Sequence, residues 1–217
     1  MKNPLSYIDR MEIFEHCVTL YPVVSSEFCA GRSALEVIRQ LGEGGAVIFQ
    51  LREKHLSDCE LYTLGCEARK IADEYSMLFM LDDRLDVAMA CNADGVHLGQ
   101  DDLPVEAARK IAPEMIVGVS THNIPEAQAA CRGKCSYLNI GPIYPTNTKS
   151  VACGALGLEA LKTIPQVIDC PFTVMGGIKA RHIPELTSAG AQRIAMVTEI
   201  TQAEDIAGKV RELLKLF

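Results

Sequence analysis

The sequence predicts a (β/α)8 barrel, an α/β fold of the TIM-barrel class, and three observations lead to this prediction. Short apolar runs rich in β-branched residues alternate with longer amphipathic stretches along the chain, and there are eight such runs. No GxGxxG fingerprint follows the first run, which disfavours the rival fold, an open doubly wound sheet that binds a dinucleotide. We therefore favour the closed barrel.

The elements follow in a regular order. The predicted strands are residues 18–24, 46–51, 77–81, 95–98, 116–120, 137–140, 172–175 and 194–197. The predicted helices are residues 33–41, 58–74, 104–111, 125–131, 158–162, 183–189 and 203–214. Residues 6–16 precede the first strand and predict an extra helix that covers one end of the barrel.

Polar residues mark the starts of several helices. Ser57 precedes an acidic first turn, Asp102 lies just ahead of Pro104, and Thr201 is followed three residues later by Glu204. The last spacing is that of a capping box, in which two side chains bind the free N–H groups of a helix start. We therefore expect the last helix to be capped by Thr201.

Length and charge limit the classes of function. The 217 residues suit one domain spanning 1–217, and 48% apolar residues suffice for a large core. A net charge of −7 argues against a nucleic-acid partner or an anionic membrane surface. Neither a secretory signal nor an apolar run long enough to cross a bilayer is visible, so we expect a cytoplasmic protein.

The nine cysteines are scattered and form no CxxC pair, which gives little support to a zinc site. We interpret them as reduced thiols, many of them buried. Cys131 and Cys135 have the spacing of one helical face, but two further ligands are not evident. The sequence therefore predicts no metal there.

Cationic and amide side chains follow the second predicted strand. In extended backbone Gln50, Arg52 and Lys54 face the same way, because side chains alternate with a period of two. The active sites of such barrels lie at the carboxyl ends of the strands. A phosphate or diphosphate is the natural ligand, and the alternative is a charged loop in solvent with Glu53 as its counter-charge.

Carboxylates follow the next two strands. Asp82 and Asp83 end the third, and Asp101 and Asp102 follow the fourth. Mg²⁺ takes one or two carboxylates together with substrate phosphates and water, so the group predicts a magnesium site. The alternative is that Asp82 and Asp102 cap the helices that follow.

The loops after the sixth to eighth strands carry further candidate ligands for phosphate. Thr146, Thr148 and Lys149 belong to a long loop of the kind that often forms a functional lid. After the seventh strand, Gly176 and Gly177 allow a close approach of backbone N–H groups to an anion. Loops after the seventh and eighth strands commonly bind phosphate in these barrels, which predicts a second phosphate site.

Two histidines lie near strand ends. His122 follows the fifth strand and His97 lies in the fourth, and either could serve as an acid or base, or as a structural group. The residues alone leave both readings open.

Six motifs, in register, resemble those of the thiamine-phosphate synthase family. They are QLREK at 50–54, DGVHLGQDDLP at 94–104, GVSTHN at 118–123, GPIYPTNTK at 141–149, GLEAL at 157–161 and GGI at 176–178. Their order and spacing agree over about residues 20–200, which is nearly the whole chain.

The resemblance implies a (β/α)8 barrel that joins a pyrimidine diphosphate to a thiazole phosphate, with Mg²⁺ as cofactor. It implies that Gln50, Arg52 and Lys54 grip the pyrimidine diphosphate. It also implies that Asp83 and Asp102 hold the Mg²⁺. The products are thiamine phosphate and diphosphate.

The resemblance assigns the remaining roles by position. Ser120 lies near the pyrimidine, and Thr146, Thr148 and Lys149 close over the diphosphate. The thiazole phosphate is bound by Gly177, Val197 and Thr198. The implied catalytic residues are Arg52, Lys54, Ser120 and Lys149. No protein nucleophile is required, and a homo-oligomer is possible.

The chain departs from the family at three places, one of which is the loop 150–155, where the family's usual prolines are missing. Asp82 replaces an Asn in the substrate-binding set, so that a carboxylate stands where an amide would donate to diphosphate. Gln192 and Arg193 replace an Asp-Gly pair before the eighth strand, which we interpret as structural variation.

Two rival functions remain open on the same barrel. A thiazole tautomerase, from a sister group, would use His122 for proton transfer, but needs neither Mg²⁺ nor a diphosphate grip. A non-catalytic protein that binds thiazole phosphate or thiamine phosphate is favoured by Asp82 alone.

Overall fold

Eight parallel strands close a barrel in the computed structural model, which describes residues 5–146 and 154–217. Each strand pairs with the next, and the eighth pairs with the first. The strands are β1 (Leu20–Val24), β2 (Ile48–Leu51), β3 (Leu78–Asp82), β4 (Gly95–Leu98), β5 (Ile116–Thr121), β6 (Tyr137–Ile140), β7 (Phe172–Val174) and β8 (Ile194–Met196). This confirms the predicted fold.

Helices alternate with the strands around the outside. They are α1 (Tyr7–Cys17), α2 (Ala34–Glu43), α3 (Asp58–Tyr75), α4 (Leu85–Ala90), α5 (Val105–Ile111), α6 (Ile124–Arg132), α7 (Glu159–Thr163), α8 (Ile183–Ser188), α9 (Thr198–Thr201) and α10 (Ile206–Leu214). Three short 3-10 turns occupy Ser26–Phe28, Ile164–Val167 and Ala180–His182. Two short helices, α4 and α9, were not predicted.

The apolar residues form two layers. The larger lies between the strands and the surrounding helices, and the smaller fills the inside of the barrel. Tyr21, Met80 and Tyr137 belong to the inner layer, and Phe14 of α1 joins them. The ring of Phe14 stacks on that of Tyr137 at 4.6 Å between centroids. Helix α1 therefore closes the end of the barrel at which the strands begin, here called the floor.

Arg193 fastens α1 to this floor. It lies just before β8, is buried, and donates hydrogen bonds to the backbone oxygens of Phe14, at 2.9 Å, and of Glu15. Its guanidinium carbon lies 5.3 Å from the centroid of the Phe14 ring. The departure at this position is therefore structural, as the sequence predicted, and it is remote from the strands' carboxyl ends.

Helix starts agree with the sequence at α3 but not at α10. Ser57 and Glu60 form a reciprocal capping box at the start of α3. The prediction that Thr201 caps the last helix was wrong, because its hydroxyl donates instead to the carbonyl oxygen of Phe28, at 2.7 Å. The helix begins at Ile206, and the side chain of Asp205 caps it by accepting from the N–H of Gly208.

Within the described residues, none of the helices combines the length and the apolar character that crossing a membrane requires.

Candidate active site

A cleft opens at the end of the barrel where the strands finish, here called the mouth. All eight strands, or the loops that follow them, contribute to its lining. This position is typical of the substrate site of a (β/α)8 enzyme.

Gln50, Arg52 and Lys54 converge on one carboxylate, that of Asp82. Gln50 donates a hydrogen bond to Asp82 Oδ1 at 2.6 Å. Arg52 Nε lies 3.3 Å from Asp82 Oδ2, and Lys54 Nζ lies 3.5 Å from the same oxygen. The period-two prediction that the three donors meet is thereby confirmed. Asp82, whose side chain is 9% exposed, sits among the donors.

Glu53 is not their counter-charge. Its carboxylate accepts hydrogen bonds from the backbone N–H and the hydroxyl of Ser26, at 2.8 and 2.7 Å. The negative charge that faces Arg52 and Lys54 comes from β3 instead. The alternative of a loop neutralised by Glu53 is therefore wrong.

Asp83 and Asp102 form a carboxylate pair beside this cluster. Lys54 donates to Asp83 Oδ2, and the two carboxyl groups hydrogen-bond to each other. Burial opposes ionisation of Asp83, but the hydrogen bonds from Lys54 and with Asp102 outweigh it, so its pKa is lowered. Burial and the hydrogen bond with Asp83 raise the pKa of Asp102. Two carboxylates held this close gain from a shared cation.

Neither of the two predicted caps is formed. Helix α4 has Arg84 at its N-cap and α5 has Pro104, in both cases without a side-chain hydrogen bond. Asp102 Oδ2 accepts from the N–H of Gly99, at 2.6 Å, within the loop that follows β4. The capping alternative for Asp82 and Asp102 is therefore wrong.

A chain of hydrogen bonds runs from Ser120 into the barrel. Ser120 Oγ lies 2.9 Å from His97 Nε2, and His97 Nδ1 lies 2.9 Å from the hydroxyl of Tyr137. That hydroxyl lies 2.9 Å from the hydroxyl of Tyr21. All four residues are buried, so the chain fixes the position of Ser120 at the cleft.

Gly118 makes this chain possible. The strand registers pair His97 with Gly118 and Gly118 with Tyr137, so the three residues lie at one level of the barrel. A Cβ at Gly118 would lie 2.2 Å from the tip of the Tyr137 ring. The missing side chain thus gives Tyr137 the space to reach His97 across β5.

His122 also borders the cleft but is engaged with Glu126. Its Nδ1 and its backbone N–H each lie 2.8 Å from Glu126 Oε2, at the start of α6. These contacts give the histidine a structural role at the loop after β5. They supply no evidence for proton transfer.

The loops after β7 and β8 form the other side of the cleft. Gly177, Val197 and Thr198 border it, as expected for the second phosphate site. Gly177 has φ of +63°, and a Cβ there would lie 2.4 Å from the carbonyl oxygen of Pro145. A glycine is therefore required to pack this loop against the one after β6.

Two polar lining residues, Asn139 and Lys179, were missed by the sequence analysis. Lys179 borders the cleft and lies 3.3 Å from Glu199, and Asn139 is buried beside it, accepting a hydrogen bond from Thr173 at 2.9 Å. The GGI motif ends one residue before Lys179, and Asn139 lies inside an apolar strand. Thr146 borders the cleft as predicted, whereas Thr148 and Lys149 lie outside the described residues.

The family profile described as "Thiamine monophosphate synthase" matches residues 20–200. The thiamine-phosphate synthase of Pelotomaculum thermopropionicum is 42% identical over 195 residues, covering 89% of each chain. The enzyme of that name from Pyrococcus abyssi is 41% identical over 179 residues, which cover 82% of this chain and 86% of that one.

Solved structures agree with these relatives. "Thiamine phosphate pyrophosphorylase from Pyrococcus furiosus" superimposes with a TM-score of 0.84 and 35% identity, over 92% of this chain and 95% of that one. A 3-hexulose-6-phosphate synthase, at 19% identity and a TM-score of 0.67, shares the fold alone. On the match over residues 20–200 and these identities, the chain belongs to the thiamine monophosphate synthase family.

Proposed function

We propose that the protein is a thiamine-phosphate synthase. It joins 4-amino-5-hydroxymethyl-2-methylpyrimidine diphosphate to 4-methyl-5-(2-phosphoethyl)thiazole and releases thiamine phosphate and diphosphate. The observation that carries the proposal is the mouth cluster, in which the donors Gln50, Arg52 and Lys54 meet the carboxylate pair Asp83 and Asp102. The reaction makes this protein a transferase.

The diphosphate binds to the donor cluster. Arg52 offers two parallel N–H groups, Lys54 a point charge, and Gln50 an amide N–H. In the described arrangement all three contact Asp82, so the incoming diphosphate competes with this carboxylate for the same donors. Thr146, Thr148 and Lys149 complete the grip from the loop after β6 in this proposal.

Asp83 and Asp102 are proposed to hold Mg²⁺. Their carboxyl groups fit the ion, because each shifts the pKa of the other and a divalent cation would offset the repulsion between two ionised carboxylates. Oxygen ligands are also those that Mg²⁺ prefers. When bound, Mg²⁺ supplies positive charge to the leaving diphosphate.

The chemical step needs no protein nucleophile. The bond between the methylene carbon and the diphosphate oxygen breaks, and the aminopyrimidine ring delocalises the positive charge left on that carbon. Arg52, Lys54 and Lys149 stabilise the negative charge that develops on the leaving group. The thiazole nitrogen then forms the new C–N bond, while Ser120 and the cleft hold both rings in place.

The thiazole phosphate is placed at the other side of the cleft. Gly177, Val197 and Thr198 bound this side, and Lys179 adds a positive charge beside them. Loops after the last two strands bind phosphate in many barrels of this type. In this proposal the two phosphate-bearing groups bind at opposite sides of the mouth.

One observation favours a second candidate function, that of a non-catalytic protein that binds thiazole phosphate or thiamine phosphate. Asp82 occupies the donors that the pyrimidine diphosphate would need. The thiazole tautomerase gains no such support, because the contacts of His122 are with Glu126.

A coupled assay tests the proposal. Protein, both substrates and Mg²⁺ are mixed, and thiamine phosphate is measured after oxidation to fluorescent thiochrome. Product that disappears with EDTA supports the synthase and the need for a divalent cation. If only the Asp82→Asn variant forms product, the native chain is better explained as a non-catalytic binding protein. If neither the native chain nor the variant forms product, the synthase function is excluded.

We expect small phosphorylated molecules as the ligands and neither nucleic acid nor membrane as a partner, because the net charge is −7. A single domain over 1–217, a cytoplasmic location and a possible homo-oligomer stay predictions.

A further inference from the structure

Three cysteines meet at the floor of the barrel, remote from the cleft. Cys131 lies in the last turn of α6, Cys135 just before β6, and Cys170 just before β7. Cys170 Sγ lies 3.1 Å from Cys131 Sγ and 3.7 Å from Cys135 Sγ. All three sulfur atoms lie within 4.8 Å of one another.

This geometry is close to that of sulfur atoms bound to one ion. Thiolates bound at about 2.3 Å from a shared tetrahedral or trigonal ion lie about 3.8 to 4 Å apart. The two separations from Cys170 Sγ are shorter than this, and Cys131 Sγ and Cys135 Sγ lie within 4.8 Å of each other. Small side-chain rotations would bring the three sulfur atoms to equal separations. Soft thiolate ligands select Cu(I) and Zn²⁺ over harder cations.

The surroundings allow an ion to enter. A surface depression reaches Cys131 and is also bordered by Arg132 and Asp169. Cys131 and Cys170 are partly exposed, whereas Cys135 is buried. A protein site for a metal needs such a path as well as its ligands.

We propose that Cys131, Cys135 and Cys170 form a three-thiolate site for one soft d10 cation, Cu(I) or Zn²⁺, that ties α6 to the starts of β6 and β7. Three sulfur atoms complete the trigonal coordination of Cu(I). Zn²⁺ takes four ligands, and water in the depression supplies the fourth. Within the described ranges, no fourth Cys, His, Asp or Glu ligand atom joins the group.

The thiols of Cys131 and Cys170 hold their protons when no cation is bound. Burial, followed by the hydrogen bond with Cys170, raises the pKa of Cys131 to about 11. The hydrogen bond with Cys135 and burial raise the pKa of Cys170. A cation therefore displaces protons from the cluster, which is the usual behaviour of thiolate sites.

The test titrates reduced, metal-free protein under anaerobic conditions with each cation. Cu(I) is presented in competition with bicinchoninate, and Zn²⁺ in competition with a chromophoric chelator. We expect one ion per chain and a higher thermal midpoint in the loaded protein, with synthase activity the same in both forms. The dissociation constants obtained from the two competitions identify which of the two ions the site prefers.

Two sets of variants separate the cluster from other thiols. Cys170→Ser removes the sulfur that contacts both others, and Cys131→Ser removes the sulfur that borders the surface depression. Loss of a residue that hydrogen-bonds to a metal ligand typically weakens metal binding 10- to 100-fold. Each of these variants removes a ligand itself and should therefore weaken binding by more than that. The double variant Cys17→Ser/Cys59→Ser removes two exposed thiols and should bind as the native chain does.

If a serine variant fails to fold, alkylation of the native chain with and without the bound ion still tests the proposal. The bound ion should protect Cys131 and Cys170, the two partly exposed members of the cluster, and leave Cys17 and Cys59 reactive. Binding retained in both cluster variants, or lost in the control, would overturn the proposal. The proposal would also be overturned if the native protein contained a Cys131–Cys170 disulfide and bound neither ion after that disulfide was reduced.

Discussion

At the residue scale, Asp82 controls the donors that the pyrimidine diphosphate needs. Replacing it by Asn keeps the shape and an oxygen that can accept from Gln50, and removes the charge that holds Arg52 and Lys54. We expect Asp82→Asn to lower KM for the pyrimidine diphosphate about tenfold, which corresponds to about 1.4 kcal/mol. Steady-state kinetics with the thiazole phosphate saturating would measure it.

The matched control for this substitution is Asp86→Asn. Asp86 is an exposed carboxylate of the same region whose partner is Arg84, so KM should stay within about twofold. A KM that is unchanged or higher in Asp82→Asn would show that the carboxylate assists binding, and would contradict the competition described above.

The buried chain behind Ser120 supports a second prediction at this scale. Tyr137→Phe removes the hydroxyl that contacts both His97 and Tyr21, so His97 loses the partner of its Nδ1. We expect kcat to fall by about three- to tenfold with little change in KM, since a lost buried hydrogen bond costs about 0.5–1.5 kcal/mol.

Double variants distinguish positioning of Ser120 from a general loss of structure. In a Ser120→Ala background, Tyr137→Phe should have little further effect on kcat, because both changes act on the same group. Tyr21→Phe, which leaves the contact between Tyr137 and His97 intact, should cost less than Tyr137→Phe. Full additivity of the Ser120 and Tyr137 effects would exclude the positioning role.

Residue-level chemistry was predictable only where it follows from local spacing. The meeting of Gln50, Arg52 and Lys54 follows from strand alternation. The chain from Ser120 to Tyr137 depends on the registers of β4, β5 and β6, which are set by packing around the barrel. Cys170 is similarly 39 residues from Cys131, and no local pattern links them.

At the element scale, Gly118 is the residue on which the contact between β4 and β6 depends. We expect Gly118→Ala to destabilise the protein by about 2–3 kcal/mol, because the added Cβ would overlap the Tyr137 ring at 2.2 Å. Chemical denaturation would measure the loss of the free energy of unfolding.

A compensating substitution supplies the control for Gly118→Ala. Tyr137→Leu shortens the opposing side chain, so the double variant should be less destabilised than the sum of the two single variants. Tyr137→Phe keeps the ring that meets the new Cβ and should give no such relief. Additive losses in the double variant with Leu would show that the overlap is not the cause.

The elements were predictable to the extent that they are long or strongly patterned. The eight strands were each predicted within two residues, since apolar runs between turn residues recur at every β/α unit. Helix α4 has six residues and was missed, because less than two turns show no apolar periodicity. The start of α10 was misplaced because the tertiary contact of Thr201 with Phe28 replaced the local cap.

At the scale of the whole molecule, the two ends of the barrel have different roles, in catalysis at the mouth and in stability at the floor. The mouth carries the charged residues of the cleft, whereas the floor carries Arg193, the docked helix α1 and the cysteine cluster. In barrels of this type residues at the floor act on stability and those at the mouth on catalysis. Changes to Arg193, to α1 or to the cysteine cluster should therefore alter unfolding without altering turnover.

Arg193→Met provides the test of this division. The substitution keeps a long apolar side chain over Phe14 and removes the hydrogen bonds to the carbonyl oxygens of Phe14 and Glu15. Hydrogen bonds from a charged donor contribute about 1.5–3 kcal/mol each, offset in part because a buried charge is also removed. We expect a net loss of about 2 kcal/mol, equivalent to about 4–8 °C in Tm. Hydrogen exchange should increase first in α1, while kcat and KM stay within about twofold.

The control for this substitution is Arg39→Met, which breaks an exposed ion pair with Glu74 and should lower the free energy of unfolding by less than about 1 kcal/mol. A fall in kcat without faster exchange in α1 would mean that the floor and the mouth are coupled, and that the departure at Arg193 serves catalysis rather than the docking of α1.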